Sequence, residues 1–113
     1  MNPPTQQATL LRIFIGESDT WKGRPVYEAI VLKAREMHLA GATVVRGSMG
    51  FGANSRLHTA KLLRLSEDLP VVIEIVDSRE KIDGLLEAIS PFIGDGLITM
   101  ERVEVIPKPK RAE

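Results

Sequence analysis

Short apolar or alternating runs mark the strand candidates along the chain, and apolar residues recur with a helical period in two other stretches. Thr9-Leu10-Leu11-Arg12-Ile13-Phe14-Ile15 is an apolar run with one charge, ended by Gly16, and it predicts a first strand. Glu17 to Arg24 reads as a loop, with Pro25 at the first helical position, where its missing N–H does no harm. From there to about Leu39, Tyr27, Ile30, Val31, Ala34 and His38 make an apolar stripe, which predicts helix one, closed by Gly41 as a C-terminal cap. Ala42 to about Ser48 predicts strand two. Leu62 to Ser66 alternates enough to return as the second arm of a ribbon. Val71 to Val76 predicts strand three in a central position with both faces covered. Asp77 and Glu80 resemble a capping box, and Ile82, Leu85, Leu86, Ile89 and Ile93 form the stripe of helix two. Pro91 disrupts its last turn, Gly94-Asp95-Gly96 turns the chain, and Leu97 to Ile106 predicts strand four, with a bulge at Glu101-Arg102.

This order, β-α-β-β-α-β, predicts an α+β, ferredoxin-like sandwich with both helices on one face of a four-stranded antiparallel sheet. At 113 residues the chain has room for one domain. The expected division is a polar leader over 1–8, the domain over 9–106 and a basic tail over 107–113. A domain this small leaves part of its apolar surface for a subunit interface, so a homo-oligomer is expected. Fifteen basic and fifteen acidic residues cancel. That removes the broad field a nucleic acid or an anionic membrane would need, so any anion site has to be local. With no cysteine, disulfides and thiolate metal sites are excluded. No signal-like leader or membrane-spanning run occurs, so a cytoplasmic protein without membrane insertion is expected.

Candidate chemistry concentrates in Gly41 to Lys61. Gly47, Gly50 and Gly52 arrive at a density that an ordinary strand interior does not tolerate, and Arg46, Arg56 and Lys61 surround them with positive charge. Such a stretch suits either an anion or a partner protein, and glycine there equally marks a bend. His38 and His58 have no metal-ligand spacing, so no metal site is expected. Nothing pairs Glu17, Asp19, Glu67 or Asp68 with a nucleophile, so no catalytic residue is assigned. Trp21, the single tryptophan, reads first as a packing residue.

Three segments carry a resemblance to a known family: Ile13-Phe14-Ile15-Gly16-Glu17-Ser18; Gly41 to Gly47 with Met49-Gly50-Phe51-Gly52; and Leu65 to Glu74. Together they resemble a family of unknown function grouped with the PII-like signalling proteins, over roughly Leu10 to Ile106. The resemblance implies a trimer with nucleotide-sized clefts between subunits. It also implies a long loop after strand two that contacts a client transporter, channel or enzyme. Ile93-Gly94-Asp95-Gly96 then looks like the PII phosphate-binding turn, although Leu97 stands where the PII pattern has a phosphate-contacting lysine. Lys108 and Lys110 fall where that pattern places two basic residues on the cleft. The ligand-binding candidates are therefore Arg46, Gly47, Gly50, Gly94, Asp95, Gly96, Lys108 and Lys110, with Phe51, Asn54, Arg56 and His58 on the partner loop. An adenine nucleotide is the expected ligand, and its binding would order the loop.

Two other readings stand beside this one. A small ferredoxin-like enzyme of isomerase or oxygenase type would rest on His58, and a ligand-free interaction scaffold would need no site at all. By itself Gly94-Asp95-Gly96 is an ordinary turn after a helix, and the basic tail an ordinary solvated terminus.

Overall fold

A computed structural model describes residues 4–51, 58–59 and 69–108. Its centre is β1 (Gln6–Gly16), which pairs with two partners and so collects most of the ladder. The chain continues through β2 (Thr20–Trp21), β3 (Arg24–Pro25), α1 (Val26–Glu36), β4 (Thr43–Arg46), β5 (Met49–Gly50), β6 (His58–Thr59), β7 (Pro70–Asp77), α2 (Arg79–Ile89), a 3-10 turn at Ser90–Phe92 and β8 (Leu97–Val105). The main sheet is antiparallel in the order β4-β7-β1-β8, the expected α+β ferredoxin-like arrangement. β1 begins at Gln6, inside the segment read as a polar leader, because Gln6, Gln7 and Ala8 are held by Val105, Glu104 and Val103 of β8.

Alternation decides which side chains meet. Leu11, Ile13 and Ile15 of β1 and Val71, Ile73 and Ile75 of β7 point to the helices, where they close on Val26, Ile30 and Ala34 of α1 and Ile82, Leu85 and Ile89 of α2. These side chains are almost wholly shielded from water, and each large aliphatic one contributes about 1.5–3 kcal/mol. β7 is central, as its apolar density predicts, yet one of its faces is only partly covered: Val72 and Glu74 are half-buried and Val76 is exposed. Sequence density cannot tell cover supplied by the same chain from cover supplied by another.

Several local expectations are corrected. Pro25 caps α1 from the last residue of β3, with ψ 135°, rather than forming its first helical position. At the other end the turn is made by His38, at φ 63°, with Leu39 N–H donating to the Ala34 carbonyl at 3.0 Å. Gly41 is therefore not the cap, and His38 is exposed rather than on the buried stripe. α2 is capped by Ser78, whose hydroxyl accepts from Lys81 N–H at 3.3 Å. Asp77, expected in that role, instead accepts from Ser78 N–H at 2.7 Å and from Ala40 N–H at 2.8 Å. It thereby ties the turn after α1 to the start of α2. The bulge expected at Glu101-Arg102 is absent, since Leu10 pairs with Glu101 and Thr9 with Arg102 in unbroken register. Glu101 breaks the apolar alternation for another reason: its carboxylate accepts from Arg12 at 3.1 Å. Residues 62–66, read as a ribbon arm, lie outside the described residues.

Candidate functional site

The C-terminal ends of β1 and β4 and the N-terminal ends of β7 and β8 meet at one end of the sheet, as the pairs Gly16–Pro70, Arg46–Val71 and Phe14–Leu97 require. The candidate residues group around this end. Gly47 N–H donates to the Pro70 carbonyl at 2.7 Å. A Cβ on Gly47 would stand 2.8 Å from Pro70 Cγ, and one on Gly50 would stand 3.0 Å from the same atom. These glycines thus let the proline ring lie against the backbone, and any larger residue would push it away. Gly50 also pairs with His58, and Met49 with Thr59, so the strand pair β5–β6 starts immediately above this neck. Across it, Glu17 N–H donates to the Leu69 carbonyl at 2.8 Å, and the Glu17 carboxylate pairs with the Arg46 guanidinium.

The turn at Gly94-Asp95-Gly96 lies at the same end. Gly96 is locked: a Cβ there would meet Ile93 Cγ2 at 2.9 Å, Ile15 Cγ2 at 3.0 Å and the Phe14 carbonyl oxygen at 3.1 Å. Gly94 and Asp95 are exposed, and a Cβ on Gly94 would meet nothing within 4 Å. Arg46 and Phe51 are exposed beside the neck, Phe51 at 69%.

Lys108 is placed differently. β8 runs from Leu97, opposite Phe14, to Val105, opposite Gln6, so Lys108 follows the far end of the sheet. At ~3.4 Å per antiparallel strand residue the two ends of β8 are about 27 Å apart. Within one chain the structure therefore puts Arg46, Gly47 and Gly50 at the β4 edge and Gly94, Asp95 and Gly96 at the β8 edge of the same sheet end, and separates Lys108 from both. Asn54, Arg56 and Lys110 lie outside the described residues. His58 is described only through its backbone pairing with Gly50. Among the described residues no cluster of three or more His, Asp or Glu side chains could hold a metal, and no helix is long and apolar enough to cross a membrane.

Two features were missed by sequence reasoning. The Glu17–Arg46 pair joins residues from separate elements, and no spacing rule links them. The β2–β3 hairpin lies inside a stretch read as loop, although its signal was present: two residues, Lys22-Gly23, separate Trp21 from Arg24.

The helix-covered sheet, with a glycine-lined neck and a glycine turn at one end, places the chain among proteins of PII-like fold. CPII, a nitrogen regulatory PII-like protein from Thiomonas intermedia K12, solved with ADP, AMP and bicarbonate, superposes with a TM-score of 0.71 over 92% of each chain, at 18% identity. The GlnK–ATP complex of B. subtilis superposes at 0.50 over 86% of this chain and 82% of that one, at 15% identity. At such identities the likeness speaks for the fold. The chain itself belongs to the DUF190 family, described as uncharacterized ACR, whose model matches residues 8–105. A UPF0166 protein of Aquifex aeolicus is 45% identical over 97 residues, covering 86% of this chain and 91% of the relative. A UPF0166 protein of Methanocaldococcus jannaschii is 34% identical over 93 residues, covering 81% and 85%.

Proposed function

We propose that this chain is a non-enzymatic PII-like regulatory protein that forms a homotrimer and senses an adenine nucleotide in the clefts between its subunits. The observation that carries the reading is that the Gly47–Gly50 neck and the exposed Gly94-Asp95 turn lie at the same sheet end, on its two opposite edges, with Lys108 at the other end. In this reading the turn offers backbone N–H groups to phosphate, as anion nests do. Lys108 comes to that phosphate from the neighbouring subunit, because about 27 Å of strand keeps it from its own turn; Lys110, outside the described residues, is assigned to the same cleft. The bound ADP and AMP of CPII support the choice of ligand class.

The second half of the proposal is the output. The segment after Gly50, carrying Phe51, Asn54, Arg56 and His58, contacts a client transporter, channel or enzyme. Ligand bound at the neck controls that contact through its different affinity for two states of the segment.

A thermal-shift series with ATP, ADP and AMP, with and without magnesium, tests this. A nucleotide at a hundredfold excess over its Kd adds about 2.7 kcal/mol of stability. We expect one adenine nucleotide to raise the melting temperature, and Gly94→Asp and Lys108→Ala each to abolish the rise while leaving the unliganded melting temperature near the parent value. No shift with any of the three rejects the nucleotide reading and leaves the scaffold reading in its place.

A further inference from the structure

A second concave surface lies on α1, away from the sheet. Its upper wall is the β2–β3 hairpin, which turns through Lys22 at φ 50° and Gly23 at φ 79°. Positive φ at both central residues is the turn whose twist matches a tight hairpin, and glycine takes the second position without strain. The hairpin is pinned at both ends. Gly16 N–H donates to the Asp19 carboxylate at 3.0 Å, and Val26 N–H donates to the Asp19 carbonyl at 2.8 Å. Trp21 is held against Phe92 of the 3-10 turn, ring centroids 5.6 Å apart and tilted by 39°. The two rings form a half-buried apolar wall.

Below this wall, Ala29 and Leu32 of α1 make an aliphatic floor, and Leu32 is 41% exposed. The groove so formed has a volume of about 350 Å³, at the small end of the range for small-molecule sites. Its charges are unevenly placed. At the hairpin end stand Lys22, whose ammonium lies 5.5 Å from the Trp21 ring centre, and Arg24; neither has a carboxylate partner among the described residues. At the other end Lys33 is already paired with Glu36 at 2.8 Å, an interaction that holds the Glu36 carboxyl below the usual carboxylate range. Ala29 and Glu36 are about 10 Å apart along the helix axis, at ~1.5 Å per residue. The groove is therefore cationic at one end, neutralised at the other, and apolar between.

We propose that this groove is a binding site for a small aromatic anion: a planar ring bearing a carboxylate or phosphate. The ring lies on Leu32 against the Trp21 and Phe92 wall, and the anion points to Arg24 and Lys22. With Lys33 already paired to Glu36 at the opposite end, Arg24 and Lys22 set the direction. None of its lining residues is among those assigned to the nucleotide cleft.

Trp21 is the only tryptophan in the chain, so its emission reports the groove directly. Phenyl phosphate is titrated into the intact protein, with inorganic phosphate and benzyl alcohol as half-ligands. We expect a saturable change in Trp21 emission, with a Kd at least tenfold lower for phenyl phosphate than for either half-ligand. Arg24→Gln should weaken it at least fivefold, and Leu32→Asp, at an exposed position, should do the same from the apolar end. Lys108→Ala should leave the titration unchanged. An equal response to phosphate alone overturns the proposal, as does the absence of saturation. Loss of binding in Lys108→Ala with full binding in Arg24→Gln overturns it as well, by placing the ligand in the intersubunit cleft.

Discussion

Gly94 and Gly96 look alike in the sequence and do different work. A methyl group on Gly96 would press on a backbone carbonyl and two packed isoleucines, none of which is the free end of a flexible chain. Gly94 faces open space, and its φ lies outside the left-handed region. Gly96→Ala should therefore cost about 1–3 kcal/mol, the usual cost of overpacking, whereas Gly94→Ala should stay within about 0.5 kcal/mol. Urea unfolding of the two variants checks this; equal midpoints would mean that the turn tolerates a side chain at both positions. The motif was legible as a turn with glycines. Which glycine the fold requires was not, because the neighbours that forbid a side chain include Phe14 and Ile15, about eighty residues upstream.

At the scale of elements, the sequence spoke most clearly where periodicity was strongest. Ile82, Leu85 and Ile89 are fully buried, as the stripe of α2 requires. The helix start was displaced by one residue, because Asp77 and Ser78 are both good caps and tertiary contact decides between them. Asp77 is drawn to Ala40 N–H, leaving the cap to Ser78. Ser78→Ala should then destabilise the fold by about 1 kcal/mol, measured by chemical denaturation. A loss confined to Asp77→Ala would mean that the tie between the two helix ends matters and the cap does not. The β2–β3 hairpin was hidden for a related reason: two-residue strands carry too little alternation to register, and the hairpin persists because Asp19 and Trp21 anchor it to β1, α1 and the 3-10 turn.

For the whole molecule, the feature that matters is the sheet face away from the helices. Val45, Val72, Phe14 and Leu97 stand side by side across all four strands in one row. In the next row Arg12 reaches Glu74 at 2.9 Å and, one row further, Glu101 at 3.1 Å. Both carboxylates hold the guanidinium in its charged form, raising its pKa, with the Glu74 hydrogen bond contributing most. An apolar row beside an arginine held between two carboxylates of the same face suits burial against other subunits better than permanent exposure to water. The trimer proposal accordingly gives Val72→Asp a defined outcome. Sedimentation velocity should show the parent as a trimer and this variant as a monomer, with unchanged helical circular dichroism. A monomeric parent protein would remove the intersubunit cleft and the nucleotide proposal with it.

The sequence by itself determined the order of the main elements, the two helices on one side of the sheet, and the family. Each of these rests on local information: alternation, helical spacing and short motifs read along a continuous chain. Tertiary structure alone decided that Glu17 meets Arg46, that Pro70 lies on Gly47 and Gly50, and that Lys108 stands a full strand length from Gly94. It also decided that Trp21, Arg24 and Leu32 share a groove. These are relations between residues distant in sequence, or between side chains on different elements. They follow from the antiparallel register of the sheet and the path of the chain around it, which no window of the sequence contains.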